Sequence, residues 1–457
     1  MPLSRPHSLD LSPIVNTHDV RGTVPDQWDE RIAELFGAAF ARVTKAQALV
    51  VGHDTRSSAP TLALAFAQGA ALYGTAVTDI GPCTSDQLSF ASGELALPGA
   101  MFTAPHGPAQ YNGLTLYRAG AAPLGPGGAL AGIRALVEQW AVHGAPPSFV
   151  PVGTIRRRDV LADYGARLYT LAGLPVVRPL KVVVDAGDGP GGHSVPAVLA
   201  ALPLHVVPLP AGADSAGAHG RADPLGPAAL AALRARVVAE GADLGLAVDG
   251  GRCAVVDERG ESVPASAVAA LLTARELDRH PGATVVHDLA TSWSVPEAAA
   301  EHGGKAVRTR VGHSFVREEM AATGAVLGTG HAGHYYFRDF WNADSGLLAA
   351  LHLLAALDAR PGPLSALLAP WDRYRSSGEG DFATDDPQAR TAAVRAAYAH
   401  HEDVMLDDLD GLTVTAHDWW FNLRPSATLP LLRLNVEARD AETVAGVREE
   451  VLRHLRA

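Results

Sequence analysis

Arg424, Ser426 and Thr428 fall close together in the stretch LRPSATLP. A guanidinium is a planar fork of N–H donors that meets phosphate oxygens in pairs, and neighbouring hydroxyls add donors to the same anion. The spacing therefore allows a phosphate cradle; the plainer alternative is a β-turn whose arginine pairs with a surface carboxylate. Asp249 and Arg252 bracket two glycines in AVDGGRC. One carboxylate holds Mg²⁺ poorly, because that cation asks for near-octahedral oxygen ligation, and a turn aspartate commonly bonds its own backbone. His313, His331 and His334 carry nitrogens that can ligate a metal, but such histidines more often hydrogen-bond anions or backbone. Cys83 and Cys253 are the two cysteines, and no Cys/His spacing resembles a zinc site.

Side chains of this kind need strands that end in turns. In QALVVGHDTRSSAPTLALAFAQGAALYG the run Ala48 to Val51 reads as a buried strand and the segment after Ser58 as a helix. The scheme repeats in LKVVVDAGDGPGGHSVPAVLAALPL, followed by helix-like PAALAALRARVVAEG and strand-like LGLAVDGGRCAVVDERG. A third region starts near Val263 and runs through a helix at HSFVREEMAATG. Short apolar runs, Gly- or Asp-containing turns and helical patterns in alternation are the signature of parallel sheets with crossover helices. The last region places strands around a loop before one amphipathic helix, which suggests α+β. Pro/Gly-rich stretches near Gly144 to Gly153 and Asp358 to Pro363 are candidate boundaries.

At 457 residues the chain exceeds one hydrophobic core. Its 47% apolar and 19% charged residues are ordinary for a folded globular protein. The formal charge of −12, with no basic stripe, argues against a nucleic-acid partner. No stretch is long and apolar enough for a membrane span, and the first residues lack a signal-peptide pattern. With so few cysteines, a reducing cytoplasm is the expected location.

Eight segments in order, HDVRGTVPDQWDE, VVGHDTRSSAP, FTAPHGPAQYNG, VVVDAGDGPGGHSVP, ADLGLAVDGGRCAVVDERG, RTRVGHSFVREEM, HAGHYYFRDFWNADSG and LRPSATLPLLRLNVEA, resemble signatures of the α-D-phosphohexomutases of the phosphomannomutase/phosphoglucomutase type. The resemblance implies an α/β protein of four domains, three related mixed α/β domains and a C-terminal α+β domain, around a central cleft. The implied divisions are 1–150 (phosphoserine loop), 151–257 (metal loop), 258–370 (sugar loop) and 371–457 (phosphate loop). It also implies a phosphoserine that exchanges its phosphoryl group with a hexose phosphate beside Mg²⁺.

Set against that pattern, the catalytic positions are altered. Pro105 stands where the family has its serine, with His106 beside it; proline has no hydroxyl and fixes φ near −65°. Thr103 is no substitute, because two residues of extended chain displace an oxygen by roughly 6–7 Å. Thr115 occupies the position of a family lysine. The metal loop shrinks to Asp249, Gly250, Gly251 and Arg252, and Asp249 is its remaining aspartate, so the Mg²⁺ site is degraded and no cofactor is expected with assurance. In the sugar loop Gly330 and Ala332 replace a glutamate and a serine. The resemblance leaves Arg424, Ser426, Thr428, His313, His334, Arg252 and Arg21 as phosphosugar contacts.

These losses favour a phosphosugar-binding relative that is inactive as a mutase and serves as a regulatory or scaffold subunit of a working mutase or other sugar enzyme. One alternative is an enzyme with altered chemistry on a phosphorylated ligand, built on His106, His313, His334 or Arg252. The other is a residual phosphohexomutase.

Overall fold

The computed structural model describes residues 9–16, 18–104, 107–108, 110–124, 128–174, 178–187, 189–209, 225–426 and 430–456. The described chain packs as two units, the first formed by residues up to Ser262 together with Tyr335–Leu364, the second by Val263–His334 and the residues after Leu364.

The first unit holds two sheets. In one, strands lie in the order Asp19–Thr23, Tyr111–Arg118, Gly99–Phe102, Ala48–His53, Ala76–Pro82 and Ile155–Arg157. The middle strands are parallel, with Val50 facing Gly99 and Thr78, whereas Tyr111–Arg118 runs antiparallel to both its neighbours. Ala48–His53 is flanked on both sides in its sheet and buries its middle, which explains a run as apolar as LVVG. Helices Glu30–Thr44, Ala59–Leu72 and Ala129–His143 share a core containing Trp28, Phe36, Phe40, Phe66, Phe102 and Trp140.

The other sheet sets His205–Pro208, Lys181–Asp185 and Leu244–Asp249 in parallel, and Arg252–Asp257 antiparallel to the last. Residues 335–337 continue it beside Arg252–Asp257, and Ala343–Asp344 pairs with Tyr336 and Phe337. The helix Gly346–Asp358 is apolar nearly throughout because it is buried throughout, against helix Leu161–Ala172 and the sheet.

In the second unit Thr284–Asp288 pairs in parallel with Lys305–Thr309 and Leu327–Gly330, with helices Ala265–Arg279, Ser294–Glu301 and His313–Thr323. The C-terminal part is an antiparallel sheet ordered Arg375–Ser376, Leu431–Ala438, Trp419–Pro425, Leu412–Thr415 and Met405–Asp407. Helices Pro387–Tyr398 and Ala441–Arg456 cover a core of Leu412, Val414, Phe421, Leu423 and Val436. Among the described residues no helix is long and apolar enough to cross a membrane.

Candidate functional site

In the first unit, the turn after strand Ala48–His53 governs the loop that follows Phe102. Arg56 donates to four of that loop's carbonyls: Ala104 O at 2.5 Å, Pro108 O at 2.7 Å, Gly107 O at 3.0 Å and Tyr111 O at 3.0 Å. A guanidinium has the donors to do this from one fixed plane. Its Nε lies 3.4 Å from Asp54 Oδ2, and Thr103 Oγ1 donates to the same oxygen at 2.8 Å. The hydroxyl of Thr103 is thus committed to Asp54. Pro105 and His106 lie outside the described residues. Thr115 is half-buried in the middle of strand Tyr111–Arg118, between Asp19 and Met101. Arg21 faces Gly113 on the neighbouring strand and donates from Nε to Asp19 Oδ2 at 2.7 Å.

The Asp249–Arg252 loop is a tight hairpin. Strands Leu244–Asp249 and Arg252–Asp257 pair directly up to Asp249 and Arg252, leaving Gly250 and Gly251 as the turn. Gly250 has φ +49°, which glycine adopts without the steric cost of a Cβ. A Cβ on Gly251 would stand 1.9 Å from Asp344 Oδ2, so the turn presses against the residue 344–346 corner. Gly346 N donates to Gly250 O at 2.8 Å. The corner is itself anchored, because Ser345 Oγ donates to the buried Asp86 at 2.7 Å, as Tyr164 Oη does at 2.6 Å. Burial raises the Asp86 pKa above its ordinary value against these hydrogen bonds.

Asp249 Oδ2 accepts from Arg252 Nη2 at 2.7 Å, with side chains 33% and 14% exposed. A fixed positive charge therefore sits against the loop's remaining carboxylate. That donor set does not fit Mg²⁺, which needs several oxygens and is repelled by a cation already in place.

The second unit joins two of the candidate loops through Asp288 and Glu379. After strand Leu327–Gly330, His331 Nδ1 lies 2.8 Å from Asp288 Oδ2, and its backbone N donates to the same oxygen at 3.1 Å. His331 Nε2 lies 3.3 Å from Glu379 Oε2. Burial opposes charge on the ring, but the two carboxylates outweigh it and push His331 up to about 10. As an imidazolium it has no lone pair for a metal. Burial likewise opposes charge on Glu379, yet His331 and Arg424 bring its carboxyl down to about 2.

Arg424 sits on strand Trp419–Pro425 rather than in a turn, its side chain 9% exposed. Nη2 pairs with Glu379 Oε1, Nη1 lies 4.0 Å from Asp410 Oδ2, and Nε is buried without a hydrogen-bond partner among the described residues. Ser426 follows half-buried, its backbone N donating to Leu431 O at 2.9 Å; Thr428 lies outside the described residues. His313 opens its helix and meets His334 with ring centroids 6.4 Å apart at 69°. His331 is held instead by Asp288 and Glu379.

Four profiles of phosphoglucomutase/phosphomannomutase match: alpha/beta/alpha domain I over residues 12–141, domain II over 173–260, domain III over 265–374, and the C-terminal domain over 382–454. The chain belongs to the phosphoglucomutase/phosphomannomutase family. It is 35% identical to the phosphohexose mutases of Xanthomonas campestris pv. campestris, covering 97% of this chain and 99% of the relative. It is 33% identical to a phosphomannomutase of Salmonella montevideo, covering 92% and 94%. The crystal structure of a phosphoglucomutase/phosphomannomutase family protein from Burkholderia thailandensis superposes with a TM-score of 0.85 at 28% identity, covering 98% of each chain.

Within this phosphohexomutase fold, the four candidate loops fall one in each matched domain: Pro105 in domain I, Asp249–Arg252 in domain II, His331 in domain III and Arg424 in the C-terminal domain. The residues missed from sequence are Arg56, Asp54, Asp288 and Glu379. The first two stand in VVGHDTRSSAP, whose signature character signalled importance but not role. Glu379 lies between the third and fourth matched domains, where no family pattern pointed to it.

Proposed function

We propose that this phosphohexomutase relative binds a phosphorylated hexose, or a related phosphate-bearing small molecule, through Arg424 and Ser426 without acting as a mutase. On this reading it serves as a regulatory or scaffold partner of a catalytically active mutase or other sugar enzyme. The observation that carries the proposal is the Asp249–Arg252 ion pair across a two-residue turn, which puts a guanidinium against the carboxylate of the family's metal loop. Pro105 supports it, since proline cannot take up a phosphoryl group. Loss of one member of a cooperating catalytic set already costs on the order of 10⁶ in rate, and here nucleophile and metal ligation are altered together.

Retained binding is supported by Arg424, a nearly buried guanidinium with its Nε unpartnered. A buried donor left unmade costs about 1–3 kcal/mol, which an anion at this position would offset. Two buried free cysteines, Cys83 and Cys253, support a reducing compartment such as the cytoplasm.

The test is a coupled assay on glucose 1-phosphate and mannose 1-phosphate with bisphosphate activator and Mg²⁺, alongside thermal shift with the same sugars. The proposal expects no turnover and a shift that Arg424→Ala abolishes. Turnover that persists through rigorous purification overturns it.

A further inference from the structure

The C-terminal sheet ends at strand Arg375–Ser376, paired with Leu431–Ala438, and helix Ala441–Arg456 packs beside that edge. Between them runs a groove of ≈710 Å³. Val444 and Leu452 contribute an apolar floor, and the charged lining is three arginines, Arg375, Arg448 and Arg456, against one glutamate. The whole chain carries −12, so this patch is opposite in sign to the chain's net charge.

The lining positions on the helix recur three or four residues apart from Ala441 to Arg456 and so form one stripe. At 1.5 Å per residue that stripe is about 22 Å long. A groove of that length suits a chain segment better than a compact small molecule. Arg375 is tied to Asp372 Oδ1 at 3.0 Å. Arg448 and Arg456 have no carboxylate or carbonyl partner among the described residues. Arg448 reaches toward the strand side, its Nη2 3.9 Å from where a Cβ on Gly380 would stand.

We propose that this groove docks an acidic, apolar-bearing peptide segment of a partner protein. Arg448 and Arg456 are eight residues apart on the helix, about 12 Å. On an extended chain rising roughly 3.3 Å per residue, two carboxylates three to four residues apart match that span. An apolar side chain between them seats on Leu452, which lies midway between the two arginines. A second copy of this chain is the wrong occupant, because a two-fold contact would set this arginine stripe against itself. The surface uses none of the residues assigned to phosphate binding, so the two proposals stand or fall separately.

The test pans a random peptide display library on the full-length chain, then measures the recovered peptides by fluorescence anisotropy. Two variants block the groove differently: the double reversal Arg448→Glu/Arg456→Glu removes its charge, and Ala445→Trp, at an exposed position, fills it. The expected peptides carry paired Asp or Glu three to four residues apart around an apolar residue. Both variants weaken them at least tenfold at unchanged melting temperature, while Arg424→Ala and saturating glucose 1-phosphate leave binding intact. The proposal is overturned by peptides lacking the acidic pattern, by equal affinity for the blocked variants, by displacement with inorganic phosphate, or by a wild-type dimer that the double reversal dissociates.

Discussion

Arg252 donates from Nη2 to Asp249 Oδ2 at 2.7 Å across a turn of two glycines, so the cation at this loop is a side chain of the protein itself. Millimolar Mg²⁺ should therefore produce neither heat in isothermal titration nor a shift in melting attributable to this turn. Arg252→Ala should cost about 0.5–1 kcal/mol in urea unfolding, as suits a partly exposed pair. It should not create a Mg²⁺ site, because the loop still offers a single carboxylate of its own. Magnesium binding that Asp249→Asn abolishes would contradict this.

Restoring the hydroxyl alone should fail. Pro105→Ser returns a potential nucleophile, yet the Asp249–Arg252 pair stays in place, and the variant should show no turnover on glucose 1-phosphate in the coupled assay. Mass spectrometry after incubation with glucose 1,6-bisphosphate should find no stoichiometric phosphate on the new serine.

Glu379 holds the guanidinium of Arg424, to which the proposal assigns a phosphate. Neutralising it by Glu379→Gln should tighten glucose 1-phosphate binding on the order of tenfold, because one anion no longer competes with another. The same change should cost about 1–3 kcal/mol of stability by leaving Arg424 and His331 short of an acceptor. Calorimetric titration and urea melts read the two opposed effects separately.

The His331 network sets a pH window. His331 is raised in the folded chain from 6.5 to about 10, so its contribution is complete below pH 6.5 and disappears as pH rises through 10. Glu379 is lowered from 4.5 to about 2, so its contribution is complete above pH 4.5 and disappears as pH falls through 2. The network should be strongest between about pH 4.5 and 6.5. His331→Asn should flatten the alkaline limb of the stability profile, and the His331 ring resonances should remain those of an imidazolium at pH 8.

Arg56 holds the loop after Phe102 through the carbonyls of Ala104, Gly107, Pro108 and Tyr111. Arg56→Ala should cost about 1.5–3 kcal/mol, the range for hydrogen bonds to a charged donor, and should speed amide exchange in that loop. Arg56→Lys should recover only part, since an ammonium lacks the planar fork.

Much of the fold was legible because local patterns and long-range pairing agree. The expected strand at Ala48 to Val51 is Ala48–His53, the helix after Ser58 is Ala59–Leu72, and HSFVREEMAATG forms His313–Thr323. Tyr335–Leu364 packs with the first unit, a grouping that residue order does not announce. Periodicity marks Gly346–Asp358 as buried without naming what buries it.

By itself, the sequence determined the family and the residue types on which the proposed inactivity rests: proline has no hydroxyl to carry phosphate, and DGGR holds a single aspartate, whatever surrounds them. Tertiary structure alone decided how the remaining charges pair. Asp249 meets Arg252 because the strands stay in register to the turn, and Glu379 meets both Arg424 and His331 because segments distant in sequence come together around it. Electrostatic pairing depends on distances of a few ångströms between residues separated by up to tens of positions, and residue order carries no record of those distances.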